Sequence, residues 1–232
     1  MRVERYGDNL VQLRNLGFIN AYLVQEPEGW TLVDTTGTGQ AQAILEAVQT
    51  LGGCIVRIVA THAHNDHVGS LDALAEALPD AEVALGEREA RILSGDLSLL
   101  PGEPETPLAR YAKLQRSPDR TLLDGDTVGH LRVVASPGHT PGHTAFVDAR
   151  DGTLFCGDAL FTMGGLGVAG IRRLRFCLPS LATWDRRMAL ASGQRLADQR
   201  PTRIAPGHGP VLPVSQTDMQ GAVAKLAEQL AR

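Results

Sequence analysis

The feature that most restricts how this chain can fold is a buried-strand pattern that runs directly into a cluster of metal-ligand residues. Residues 55–60 are apolar on both faces, which is typical of a strand inside a sheet. His62 and His64 follow, and their spacing directs both side chains to one side of an extended segment, where they can bind one ion. Asp66 and His67 come after the chain turns. The sequence therefore predicts a strand-to-helix loop that supplies ligands to two ions.

Three later residues have the same kind of position. His139, Asp158 and His208 each follow a glycine at the end of a predicted short strand. Five imidazoles and two carboxylates in this arrangement suit two divalent cations that share a bridging ligand and keep a position open to solvent. We therefore predict a dinuclear metal site.

Strands and helices are predicted along the whole chain. The predicted strands cover residues 18–24, 30–33, 55–60, 83–85, 131–135, 144–147, 153–156 and 203–205. The predicted helices cover residues 44–51, a segment capped by Ser70, residues 180–199, and a segment that opens with the capping box Ser215–Asp218. Residues 86–120, where proline, glycine and charge accumulate, are predicted to form an excursion near the active site. We expect one domain, residues 1–232.

Composition excludes several function classes. A net charge of −4 gives no reason to expect a nucleic acid or an anionic membrane as a partner, so a small-molecule substrate is expected. The first residues are charged where a signal peptide would be apolar, and no later stretch has the roughly 20 apolar residues of a membrane-spanning helix. The expected compartment is therefore the cytoplasm, while the oligomeric state stays open.

The order of these ligands resembles the metallo-β-lactamase-fold hydrolase superfamily over residues 18–212. This resemblance implies an α/β fold, a four-layer αββα sandwich of two mixed β-sheets flanked by helices. It implies that one metal binds His62, His64 and His139. It implies that a second metal binds Asp66, His67 and His208, and that Asp158 bridges the two.

Two further residues are candidates for supporting the ligands. Asp34 ends the strand pattern 31–34 and matches a family position near the metals whose side chain usually orients the ligands without binding metal itself. A carboxylate in an ordinary turn at a strand end is an almost equally good interpretation. His143 lies in a stretch, residues 139–144, that is similar to many small hydrolases. Its two interpretations, a hydrogen-bond partner of a ligand and an ordinary strand histidine, stay open.

Asp158 also indicates a branch of the superfamily. The zinc β-lactamases carry Cys or Ser at the matching position, so the resemblance is to thioesterases such as hydroxyacylglutathione hydrolase and to lactonases, not to a true β-lactamase. The sequence ends soon after His208, so we expect no helical glutathione-binding domain. Phe161 stands where lactonases tend to have a tyrosine. The expected enzyme is a dinuclear hydrolase in which a metal-bridging hydroxide attacks a thioester or lactone carbonyl. Asp66, also a ligand, or a metal-bound water shuttles the proton to the leaving group.

The ligand set leaves alternatives for the metal, the reaction and the pocket. Zinc is favoured, and iron, manganese or nickel also suit imidazole and carboxylate ligands. A mononuclear iron persulfide dioxygenase is the alternative function, and a phosphodiesterase or nuclease is the least favoured. Residues 97–108 and 163–178, with Arg172, Arg173 and Arg175, are candidate pocket walls, although a solvated basic face is the preferred interpretation of the arginines.

Overall fold

The computed structural model describes residues 1–172 and 181–232. Within these ranges the chain divides into two compact units. The first unit comprises Met1–Asp96 and Arg110–Leu122, and the second comprises Leu97–Ala109 and Leu123–Arg232. The predictions for Arg173, Arg175, the last part of segment 163–178 and the helix start at residue 180 lie outside the described residues.

A seven-stranded sheet forms the centre of the first unit. In spatial order its strands are β1 (Arg2–Tyr6), β2 (Leu10–Asn15), β3 (Ile19–Glu26), β4 (Gly29–Val33), β5 (Ile55–Ala60), β6 (Glu82–Gly86) and β7 (Arg120–Leu122). The pairs from β1 to β4 are antiparallel, and the pairs from β4 to β7 are parallel. Because β4 and β5 are parallel neighbours, the residues that follow them lie at the same edge of the sheet.

The helices of the first unit follow its parallel strands. They are α1 (Ala41–Leu51), α2 (Asn65–Val68), α3 (Leu71–Ala77) and α4 (Glu87–Leu93). Ser70 precedes α3 as predicted, but its hydroxyl makes no capping bond to that helix. Instead it accepts a hydrogen bond from Gln40 N (2.8 Å) and donates one to Gly37 O (2.6 Å), because the loop before α1 passes next to it. Ser70 is therefore at the predicted N-cap position of α3, but the prediction that its side chain caps the helix is wrong.

In the residues that the structure describes, the second unit contains a six-stranded sheet, a two-stranded ribbon and the two helices named below. The sheet strands, from one edge to the other, are β15 (Leu212–Pro213), β14 (Arg203–Pro206), β11 (Thr153–Gly157), β10 (Thr144–Asp148), β9 (Leu131–Ala135) and β8 (Thr127–Val128). The ribbon pairs β12 (Leu160–Phe161) with β13 (Gly167–Val168), and the helices are α5 (Arg186–Asp198) and α6 (Gln216–Leu230). Strands β11 and β14 are parallel, and the other sheet pairs are antiparallel.

The predicted fold class is confirmed, since two mixed β-sheets carry flanking helices. Each predicted strand is present, and the capping box of α6 forms as expected. Helix α5 begins at Arg186, where the Asp185 side chain accepts a hydrogen bond from Met188 N (2.7 Å). The hairpin β1–β2 and helix α4 inside the excursion are not predicted above. In the described ranges no helix is both long and apolar enough to cross a membrane.

Candidate metal centre

The four clustered residues of the sequence, His62, His64, Asp66 and His67, form what we call the first ligand group. The chain is extended up to His64 (φ −78°, ψ 145°) and then enters α2, so the predicted strand-to-helix loop is confirmed. A ligand atom of His62 lies within 4.8 Å of one of His64, and His67 Nε2 lies 3.8 Å from Asp66 Oδ2. His62 and His67 are fully buried, whereas His64 and Asp66 are partly exposed.

Asp34 anchors this group from the end of the neighbouring strand β4. Its Oδ1 accepts a hydrogen bond from Thr61 N (2.7 Å), and its Oδ2 accepts one from Thr61 Oγ1 (2.9 Å). The same Oδ2 lies 2.8 Å from His67 Nδ1. Since Asp34 is buried, these contacts replace the water that its carboxylate would otherwise bind. Asp34 therefore contacts one ligand directly and a second through Thr61.

These contacts determine which ring nitrogens are protonated. A carboxylate only accepts hydrogen bonds, so His67 must donate from Nδ1. The Thr61 hydroxyl gives its proton to Asp34, so it accepts from His62 Nδ1 at 2.9 Å. In both imidazoles the lone pair is consequently on Nε2, which is the nitrogen that can bind a metal. Thr61 was not among the predicted site residues, although its position directly before His62 is a usable signal.

Tyr111 also contacts the first ligand group and was missed by the sequence analysis. Its ring stacks on the His64 imidazole, with the centroids 5.4 Å apart and the planes 10° apart. Tyr111 lies in the predicted excursion, where no periodicity indicates which residue faces the ligands. A tyrosine in a segment without regular structure offers no signal that distinguishes it from a surface residue.

The second ligand group consists of His139, Asp158 and His208. These residues follow β9, β11 and β14, and the register of the sheet brings the ends of these strands to one edge. His139 Nε2 lies 3.5 Å and His208 Nε2 lies 3.3 Å from the same atom, Asp158 Oδ2. A hydrogen bond from Gly207 N to Gly157 O (2.8 Å) holds the strand ends of Asp158 and His208 together. Two imidazoles thus converge on one carboxylate oxygen.

His143 supports this group through the backbone. Its Nε2 accepts a hydrogen bond from Asp158 N (3.1 Å), so the proton of the neutral ring is on Nδ1, which lies 2.8 Å from Ser136 Oγ. Ser136 directly follows β9, and its hydroxyl also contacts the carbonyl of His143 (3.4 Å). The two ring nitrogens of His143 therefore connect the backbone of Asp158 to the Ser136 side chain, which follows β9.

The loop that carries His139 is packed tightly against helix α5. Asp185 N donates to Gly138 O (2.9 Å), Trp184 N donates to His139 O (3.1 Å), and Ser192 Oγ donates to Pro137 O (2.5 Å). Gly138 has φ +136°, and a Cβ there would lie 2.2 Å from Ala189 N. Only glycine fits at this position without displacing the loop or the helix.

The donor atoms of both groups suit divalent cations. Each group offers imidazole Nε2 atoms and at least one carboxylate, and His62 and His67 are held in the tautomer that metal binding needs. These nitrogen and oxygen donors are compatible with zinc and with iron. The residues therefore fit the metals that the sequence predicts.

Comparison with known proteins identifies the family. Residues 14–208, which include both ligand groups, match the model of the metallo-beta-lactamase superfamily. The uncharacterized protein YobT of Bacillus subtilis is 42% identical over 209 residues, which are 89% of this chain and 90% of YobT. The hydroxyacylglutathione hydrolase of Gloeobacter violaceus is 36% identical over 152 residues, 64% of this chain and 51% of that enzyme.

A solved structure gives the same result for the fold. The protein TTHA1623, in a di-iron-bound form, has 31% identity and a TM-score of 0.65, and the match covers 92% of this chain and 97% of that one. The metallo-β-lactamase fold binds divalent metal ions, typically two. Fold, ligand residues and relatives agree, and the chain belongs to the metallo-β-lactamase superfamily as a metal-dependent hydrolase.

Proposed function

We propose that this protein is a dinuclear hydrolase of carboxylic ester-like bonds, with a thioester or a lactone as substrate. The observation that carries the proposal is the convergence of His139 and His208 on Asp158 Oδ2. A carboxylate placed between two imidazoles is suited to bridge two cations. We propose that His62, His64 and His139 hold one ion, that Asp66, His67 and His208 hold the other, and that Asp158 bridges them.

Two bound divalent ions supply a water of lowered pKa and a Lewis acid for a carbonyl oxygen. The residues of this chain hold those ions in place. Asp34 and Thr61 keep the Nε2 lone pairs of His62 and His67 available, and His143 holds the backbone of Asp158. The Asp66 side chain is 41% exposed, so it can exchange a proton with solvent. We therefore propose Asp66 as the group that carries a proton to the leaving group.

The substrate class is supported by the residue type at position 158 and by the relatives. One relative is a hydroxyacylglutathione hydrolase, a thioester hydrolase by name, and the matched part is 51% of that enzyme. Phe161 is buried at 1% exposure and has no hydroxyl to offer a lactone. A thioester is therefore the first substrate to test, and a lactone is the second.

The metal is proposed to be zinc, with iron as the competing assignment. Imidazole and carboxylate ligands suit both, and one similar structure contains two irons. Protein purified without added metal would be measured for zinc, iron, manganese and nickel before any assay. Two ions per chain are expected. One iron per chain with oxygen uptake on a persulfide would instead support the dioxygenase.

The decisive experiment is a substrate screen on protein of measured metal content. Acyl thioesters, lactones, phosphodiesters and β-lactams would be assayed side by side with the chelator-treated protein as the control. We expect thioester or lactone turnover that is lost on metal removal and restored on readdition. Turnover confined to phosphodiesters or β-lactams would overturn the proposal.

A further inference from the structure

Tyr111 lies against the first ligand group, in the segment that follows α4. Its ring and the His64 imidazole are nearly parallel, at 10°, with centroids 5.4 Å apart. This separation is within the range of offset-stacked aromatic pairs, which contribute roughly 0.5–1.5 kcal/mol beyond burial. The contact therefore favours one orientation of the His64 ring.

The segment around Tyr111 is anchored independently of this ring contact. Ala112 N donates to Ala63 O (2.8 Å), on the ligand loop itself, and Leu114 N donates to Leu93 O (2.9 Å) at the end of α4. Arg110, directly before Tyr111, has φ +68°, a conformation that non-glycine residues seldom adopt. The backbone thus holds the ring of Tyr111 in place over His64.

His64 is more exposed than the other two imidazoles of its group. His62 and His67 are fully buried, and their Nδ1 atoms lie 2.9 and 2.8 Å from Thr61 Oγ1 and Asp34 Oδ2. His64 is partly exposed, and its ring meets the edge of His62 at 4.8 Å and 86° on the one hand, and stacks on Tyr111 on the other. The rings of His62 and Tyr111 therefore both contact the imidazole of this more exposed ligand.

We propose that Tyr111 is a positioning residue, which holds the His64 imidazole in the orientation that binds metal and shields one ring face from water. The proposal rests on His64 being a metal ligand, as stated under the proposed function. It assigns the effect to the aromatic ring of Tyr111 and not to its hydroxyl. The excursion thereby takes part in the metal site through the ring of Tyr111.

The test compares metal binding by full-length variants. Metal-free wild type, Tyr111→Phe, Tyr111→Leu and the matched control Tyr6→Leu, on β1, would be titrated with Co²⁺ in competition with a chromophoric chelator. For Tyr111→Leu we expect one Co²⁺ to bind about 10-fold more weakly and the visible absorption bands to change. This loss of affinity is at the lower end of what the removal of groups supporting metal ligands causes. Tyr111→Phe and Tyr6→Leu should match the wild type.

A double variant separates positioning from general stability. In a His64→Ala background, Tyr111→Leu should cause no further loss of affinity, since its effect passes through His64. If Tyr111→Leu does not fold, Tyr111→Met replaces it. Three results would overturn the proposal. The first is wild-type Co²⁺ affinity and spectrum in Tyr111→Leu, or in Tyr111→Met where that variant replaces it. The second is a loss of affinity in Tyr111→Phe equal to that in Tyr111→Leu, and the third is a loss from Tyr111→Leu in the His64→Ala background as large as in the wild type. Failure of the wild type to bind Co²⁺ would instead overturn the proposed function.

Discussion

Two imidazoles of the first ligand group, those of His62 and His67, are held by side-chain hydrogen bonds, whereas the second group is held mainly through the backbone. Asp34 and Thr61 contact the rings of His62 and His67 directly. In the second group, hydrogen bonds to backbone atoms at 138, 139 and 158 place the ligands at the sheet edge. The first group comes from one loop, and the second comes from three strand ends.

The difference teaches that the same ligand types can depend on different kinds of residues. A short loop brings its ligands together by local geometry, so side chains are needed to set ring orientation and tautomer. Ligands on separate strands are brought together by strand pairing, so close backbone packing is needed to aim them. Substitutions that remove one kind of support should therefore affect the two groups unequally.

The largest effect is expected for Asp158→Ala. Removing the carboxylate on which His139 and His208 converge should lower turnover by more than about 1,000-fold and release at least one metal, because the bridge is lost. Metal content and turnover would be measured together. Asp198→Ala, on the exposed face of α5, is the matched control and should keep both. Two metals and full activity in Asp158→Ala would show that the bridging assignment is wrong.

Gly138→Ala tests the backbone support of the second group. The added Cβ would meet Ala189 N at 2.2 Å, so we expect a loss of about 3 kcal/mol in unfolding free energy, together with metal loss. Gly125→Ala places a Cβ at another positive φ (+87°) with nothing within 4 Å, and should cost only about 1–2 kcal/mol. Urea unfolding of the metal-free proteins measures both values. Equal losses of unfolding free energy in the two variants would show that the close packing of Gly138 against α5 does not stabilise the protein.

Asp34→Asn tests the side-chain support of the first group. Asp34 has φ +61°, which asparagine tolerates, but one accepting oxygen becomes a donating amide that faces Thr61 or His67. We expect metal affinity to fall about 10- to 100-fold. Asp119→Asn, at a carboxylate that accepts a hydrogen bond from Val83 N in the same unit, is the matched control and should bind normally. Unchanged metal affinity in Asp34→Asn would contradict the claim that side-chain hydrogen bonds support the first ligand group.

The smallest effects are expected for two hydroxyl substitutions compared directly. Thr61→Val removes the partner of His62 Nδ1 and should weaken metal binding several-fold. Ser136→Ala removes the partner of His143 Nδ1 and should cost about 1 kcal/mol of stability without changing metal affinity. Thermal unfolding and metal titration of both variants provide the readouts. Equal losses of metal affinity would mean that both groups depend on side-chain hydrogen bonds.

Much of the fold could be predicted because its strong patterns are local. Strand β5 is apolar on both faces and has the predicted bounds, and the capping box of α6 forms between residues three apart. Short strands such as β12 and β13 carry too few residues for a period to emerge. Ser70 shows a further limit, because its hydroxyl is used by a loop 30 residues earlier in the chain and not by its own helix.

The candidate site divides in the same way. The seven candidate ligand residues could be named from the sequence because their types and their positions after strands are visible there. Thr61 and Tyr111 were missed because hydroxyl groups and phenol rings occur in many structural roles. Only their contacts with His62 and His64 in the folded protein identify them as part of the candidate site. Asp34 was predicted by resemblance, and its bonds to Thr61 and His67 give that prediction a physical basis.

By itself the sequence determined the candidate ligand residues, the strands that precede them and the class of chemistry, because these depend on residue identity and short-range spacing. Only the tertiary structure decided which nitrogen of His62 and His67 is deprotonated and which carboxylate oxygen His139 and His208 share. Such details depend on contacts between residues that are distant in the chain. Strand pairing and loop packing create those contacts, and no local pattern encodes them.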